Sequence, residues 1–100
     1  MKARFSPETI VKAAAGRQLS TNLAGEVVIL DIQQGLYYGL DHVGADVWTQ
    51  LEKPTRFAEL VERVVSRYDV DRGTAESDLT TLLNELLTLG LIESDAGADS

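Results

Sequence analysis

The chain has 100 residues, enough for one domain with a modest core, and its 44% apolar and 25% charged side chains are those of an ordinary globular protein. Its 16 acidic against 9 basic residues leave a net charge of −7, which opposes nucleic acid; the absence of cysteine removes disulfides, thiolate metal sites and a cysteine nucleophile together. No apolar run approaches the ~20 residues that span a bilayer, and Met1-Lys2-Ala3-Arg4-Phe5-Ser6-Pro7 leads into no apolar stretch of the secretory kind. A cytoplasmic protein with no membrane partner is expected.

Residues 1–8 read as a flexible N-terminus. From 6 to 16 the local chemistry points two ways. Ser6-Pro7-Glu8 has the form of an N-cap, an N1 proline and an acidic first turn, with Ala13-Ala14-Ala15-Gly16 as a helix ending on glycine. Thr9-Ile10-Val11 instead favours a strand. Glu26-Val27-Val28-Ile29-Leu30-Asp31-Ile32 is rich in β-branched residues and reads as a strand, and Gln33-Gln34-Gly35 as a turn. Leu36-Tyr37-Tyr38-Gly39-Leu40 returns, with Leu36, Tyr38 and Leu40 on one face and Tyr37 on the other. This is a hairpin.

Beyond Leu40 the spacing becomes helical. Asp41 suits an N-cap, and Val43, Val47, Trp48 and Leu51 form one apolar face. Pro54 ends this helix or stands just before the start of the next, with Thr55 as its expected cap and Phe57, Leu60, Val61, Val64, Val65 and Tyr68 recurring at three and four. Asp71 or Thr74 opens a third helix that runs to about Leu89, with Gly90 in the C′ position. Residues 94–100 read as a disordered acidic tail. Glu93, Asp95 and Asp99 are three of the acids near this end, and without them the net charge is still −4.

Little here suggests catalysis. His42 is the sole histidine, and no HxxxH, HxxE or cysteine pair accompanies it. The serines lack a nucleophile-elbow context, and Gly35, Gly39 and Gly44 do not form a dinucleotide fingerprint. Glu59 and Glu62, or Glu76 and Asp78, are acids on a solvated helix face. The chain is read as a non-enzyme with no cofactor and no metal.

A hairpin and three helices also match a winged helix-turn-helix, which makes a DNA-binding transcriptional regulator the alternative. Its third helix would then carry Glu76, Asp78 and Glu85 but no Lys or Arg after Arg72, against what phosphate and guanine contacts need. That helix is informative in a different way. Ala75, Leu79, Leu82, Leu83, Leu86, Leu87 and Leu89 cover an arc of roughly 160°, whereas about 100° suffices to rest on a core. A central, doubly packed helix explains the excess; so does a flank left open as a groove. If strands follow chain order, Leu36–Leu40 is an edge bare of the proline, lysine or inward charge that usually blunts one. A bare edge beside an apolar flank is what strand-addition peptide recognition uses, and a homodimer pairing through the same edge is its competitor.

The string Gly35-Leu36-Tyr37-Tyr38-Gly39-Leu40-Asp41, then Val43-Gly44-Ala45 and Val47-Trp48, preceded by Gly25-Glu26-Val27-Val28-Ile29-Leu30-Asp31, resembles the PqqD-like proteins. Phe57-Ala58-Glu59-Leu60-Val61, Tyr68-Asp69-Val70-Asp71, Asp78-Leu79 and Leu89-Gly90-Leu91-Ile92 are similar to that family too, so that the likeness covers about residues 9–93, the expected domain. The resemblance implies an α+β fold, a three-stranded antiparallel sheet followed by three helices in winged-helix-turn-helix-like order, and it tips Thr9–Ala14 toward a first strand. It implies a non-catalytic adaptor that binds the leader of a ribosomally made, post-translationally modified precursor peptide and presents it to a modifying enzyme or leader protease, with the lasso-peptide type favoured. The peptide-binding positions implied are Leu36, Tyr37 and Tyr38 on the edge strand and Ala75, Asp78, Leu79 and Leu82 on the third helix.

Overall fold

A computed structural model describes residues 5–16 and 18–95. The elements follow in the order β1 (Ile10–Ala13), β2 (Gln18–Leu23), β3 (Glu26–Asp31), β4 (Leu36–Asp41), α1 (Val43–Gln50), β5 (Thr55–Arg56), α2 (Phe57–Tyr68), α3 (Arg72–Thr88) and β6 (Ile92–Ser94). This is an α+β fold with two three-stranded antiparallel sheets, ordered β2-β3-β4 and β5-β1-β6.

The expected hairpin is present. Val27 pairs with Leu40, Ile29 with Tyr38 and Asp31 with Leu36, which sets these side chains toward the helices. Asp31 caps the connecting turn, its Oδ1 accepting from the N–H of Gln33 at 3.0 Å and of Gln34 at 3.2 Å. The third strand of this sheet comes from Gln18–Leu23, joined to β3 by the two-residue turn Ala24-Gly25, whose φ angles of 53° and 88° are those of a type I′ connection. Ile10–Ala13 is a strand, as the resemblance implies, but it stands outside the hairpin sheet. It pairs with β5 and β6, closing the two ends of the chain together. The alternative of a helix over 6–16 is set aside by this pairing.

Two helix starts differ from expectation. Asp41 does not cap α1; it is the last residue of β4, opposite Glu26, and His42 stands at the cap with φ 49° and no side-chain cap bond. The strand simply runs one register position further than its composition suggested. Thr55 belongs to β5, where its Oγ1 donates to the carbonyls of Gln50 and Lys53, and α2 starts behind Arg56, whose N–H donates to Glu59 Oε1 at 3.1 Å. The third helix is capped as read: Asp71 Oδ1 accepts from Thr74 N–H at 2.7 Å. At its far end Gly90, φ 77°, donates to Leu87 and Leu91 N–H to Leu86, the paired bonds of a Schellman ending.

The core lies between the hairpin sheet and the helices and is built on Val27, Ile29, Val47, Leu51, Leu60 and Leu83, all buried. Trp48 is buried with them, and its Nε1–H donates to Ser20 Oγ at 3.1 Å, tying α1 to β2. Residues 5–8, ahead of the expected domain, lie against it: Phe5 stacks on Phe57 at 5.4 Å and Pro7 accepts from Ala58 N–H. At the other end Asp95 Oδ1 accepts from Ile10 N–H at 3.0 Å, just past β6; the remainder of the expected tail is outside the described residues.

Candidate functional site

The hairpin sheet ends on β4. Among the described residues no strand pairs with its outer side. The direction of its free backbone groups follows from the turn at the other side of the sheet. A type I′ turn closes with Leu23 C=O accepting from Glu26 N–H, so Glu26, Val28 and Leu30 face β2 and the alternate residues Val27, Ile29 and Asp31 face β4. Their partners Leu40, Tyr38 and Leu36 therefore bond inward, and Tyr37 and Gly39 hold N–H and C=O groups directed outward from the sheet.

Beside this edge is a hollow of about 340 Å³. Gly39 and Leu40 of β4 and Val43 and Gly44 of α1 form one wall; Ala75, Asp78, Leu79 and Leu82 of α3 form the other, with Val64 and Val70 between. The walls are apolar except for the exposed Asp78 carboxylate at the side of α3. The first turn of α1 lies against β4, where a Cβ added at Gly44 would make ordinary contact with Leu40 at 3.5 Å. Gly39 meets nothing within 4 Å of an added Cβ, so the outer face of the sheet is open at that point.

An ion pair ties α1 to α2. Arg63 of α2 forks onto Asp46, its Nε 3.2 and 3.1 Å from the two carboxylate oxygens and its Nη2 3.2 Å from Oδ1. This side-chain hydrogen bond and the carboxylate's charge raise the Arg63 guanidinium pKa above its usual value. Arg67 Nε approaches the same carboxylate at 4.0 Å.

The predicted residues divide into two groups. Ala75, Asp78, Leu79 and Leu82 come together in the hollow. Ala75 and Leu79 are buried and offer only a rim of surface, whereas Leu82 is half-buried on the open flank. Leu36, Tyr37 and Tyr38 do not line it. They lie further along the same strand, Leu36 and Tyr37 exposed and Tyr38 packed against the core. The wide apolar arc of α3 has both explanations at once: Ala75, Leu79, Leu83 and Leu86 are buried, and Leu82 flanks the groove. Sequence reasoning missed Gly39, Leu40, Val43 and Gly44 as lining residues, although their signal was present as a run of small and apolar residues across the strand–helix junction. Val64 belongs to the apolar face of α2, Val70 follows that helix, and neither carries a separate signal for the groove. Among the described residues no group of His, Cys, Asp and Glu is placed to hold a metal ion, and no helix is long and apolar enough to cross a membrane.

A family model described as coenzyme PQQ synthesis protein D (PqqD) matches residues 26–92, a span that contains the hairpin, all three helices and the whole groove. Two solved structures are similar. TbiB1 in complex with the TbiA(beta) leader peptide shares 39% identity at a TM-score of 0.77, covering 82% of this chain and 94% of its own. A lasso peptide synthetase B1 complexed with its leader peptide has the same fold at a TM-score of 0.74 and 23% identity, covering 83% of this chain and 96% of its own. No match is found among the curated proteins.

Proposed function

The chain belongs to the PqqD family, and we propose that it is a non-catalytic adaptor that takes the leader of a ribosomally made precursor peptide as an added strand on β4 and presents it to a modifying enzyme or leader protease. The observation that carries this reading is the coincidence of free backbone and apolar hollow: Tyr37 and Gly39 direct hydrogen-bonding groups away from the sheet beside the groove walled by Leu79 and Leu82. TbiB1, with a leader peptide bound, supports the same role here. A pathway of the lasso-peptide type is the branch this reading favours, and a protease and a cyclase encoded beside the chain would test that part.

A leader strand on β4 pairs its backbone with Tyr37 and Gly39 and points alternate side chains toward α3. One or two large apolar side chains buried in the hollow contribute about 2 kcal/mol each, and each backbone hydrogen bond about 1 kcal/mol net. Ordering a flexible leader offsets part of this, which leaves dissociation constants from about 0.1 to 10 μM. Asp78 at the side of the groove, with the net charge of −7, selects a basic or neutral leader segment.

The regulator reading meets the same surface and fares worse. The flank of α3 that a recognition helix would turn to DNA carries Asp78, and no Lys or Arg occurs from 73 to 88. Self-pairing through β4 would compete with the leader for one edge.

Fluorescence anisotropy with a labelled leader peptide, taken from the precursor encoded beside this chain, tests the reading. Saturable binding that Leu82→Arg weakens about tenfold or more, with an unchanged circular dichroism spectrum, supports it. Equal binding by that variant removes the groove from the account.

A further inference from the structure

The hairpin sheet has a second margin. Strand β2 is paired only on its β3 side among the described residues, and all of it from Leu19 to Leu23 is exposed. Leu19 and Leu23 are 62% and 59% exposed, two of the large apolar side chains left in solvent. We propose that β2 is the seam of a symmetric dimer, pairing antiparallel with the β2 of a second copy of this chain. The proposal does not draw on the peptide-binding reading and leaves β4 free.

The strand is complementary to itself. Leu19-Ser20-Thr21-Asn22-Leu23 has matching residue types at equal distances from Thr21. In an antiparallel pair centred there, Leu19 faces Leu23 of the second copy, Thr21 faces Thr21, and Ser20 faces Asn22. The backbone agrees with this centre. Because Leu23 closes the type I′ turn, Leu19, Thr21 and Leu23 spend their N–H and C=O groups on β3, and those of Ser20 and Asn22 point out of the sheet. Ser20 and Asn22 of the two copies then form the hydrogen-bonded pairs. Leucine opposite leucine and threonine opposite threonine fall at the non-hydrogen-bonded positions, where side chains approach most closely.

Charge favours this margin over those of the other sheet. No residue of β2 is ionisable in a chain of net charge −7, so two copies meet there without setting like charges opposite each other. The other sheet's edges carry Arg56 on β5 and Glu93 on β6. An undefended, uncharged edge with exposed leucines is a template for another strand, and a two-fold pairing closes it instead of propagating. The resulting continuous sheet keeps Leu19, Leu30 and Tyr37, which register across β2, β3 and β4, on one outer face, extended by Leu23 of the second copy.

Sedimentation velocity from micromolar to near-millimolar concentration tests the seam. The wild-type chain is expected to pass from monomer to dimer. Thr21→Lys, which sets two ammonium groups opposite each other on an exposed position, should weaken the dimer about tenfold or more. The chain has no cysteine of its own, so Thr21→Cys reports directly: on oxidation it should cross-link into a dimer, while Asn22→Cys, which faces Ser20 and not itself, should not. A wild-type chain that stays monomeric throughout, a dimer indifferent to Thr21→Lys, or Thr21→Cys cross-linking no faster than Asn22→Cys overturns the proposal and hands β2 to a different protein.

Discussion

Gly44 sets the first turn of α1 so close to β4 that a methyl group on it would meet Leu40 Cβ and Cδ2 at 3.5 Å. That is ordinary van der Waals contact, not a clash. The glycine is therefore dispensable for packing and unfavourable for the helix, and Gly44→Ala should stabilise the fold by about 0.5–1 kcal/mol. A thermal melt should show Tm rising by about 2–8 °C. Gly44→Leu has the opposite purpose: it should fill the wall shared with Gly39 and Val43 and weaken leader binding about tenfold in the anisotropy titration while the melt stays cooperative.

Two leucines one turn apart on α3 should separate stability from binding. Leu79 is 2% exposed, and Leu79→Ala should cost about 2–5 kcal/mol in urea unfolding through the cavity it leaves. Leu82 is half-buried on the groove flank, and Leu82→Ala should cost about 1 kcal/mol or less of stability yet weaken leader binding several-fold. Equal losses for both in unfolding would mean that Leu82 is core and the groove is narrower than described.

The Arg63–Asp46 fork ties α1 to α2. Asp46→Ala should lower Tm and loosen the α1 wall, so leader affinity falls with it. Because the arginine is solvent-exposed, the difference from wild type should shrink as salt is raised to about 1 M. Melts at low and high salt check both statements.

Asp71 caps α3, and the Thr74 N–H that it accepts holds its carboxyl below the usual range. A depressed folded-state pKa contributes stability that is fully present above the unfolded carboxylate range and is lost as pH falls through the folded value. Urea midpoints measured from about pH 7 down to about pH 3 should fall for the wild-type chain and fall less for Asp71→Asn, which retains an acceptor without the titration.

The hairpin and the three helices were legible because their apolar periods match their structure: Phe57, Leu60, Val61 and Val64 are buried as spaced, and Gly90 ends α3 with positive φ. The strand β2 was not legible because its pattern is inverted. Its sheet-inner positions are Ser20 and Asn22, with Ser20 kept polar by the Trp48 Nε1–H that it accepts, and its leucines are on the outside. The partners of β1 were hidden by distance along the chain, since Val11 pairs with both Thr55 and Ser94. For the groove, the wide apolar arc of α3 allowed an open flank, and the resemblance implied the positions Ala75, Asp78, Leu79 and Leu82 that line it. On β4 the hollow is lined by Gly39 and Leu40, just past the Leu36–Tyr38 stretch that the resemblance implies, and the glycine of α1 completes that wall.

The central claim is that β4 accepts a foreign strand, and amide hydrogen exchange read residue by residue tests it most directly. On adding the leader peptide, the outward N–H groups of Tyr37 and Gly39 should become strongly protected while those of Tyr38 and Leu40, already bonded to β3, change little. Saturable leader binding with Tyr37 and Gly39 exchanging as fast as in the free chain would contradict the account.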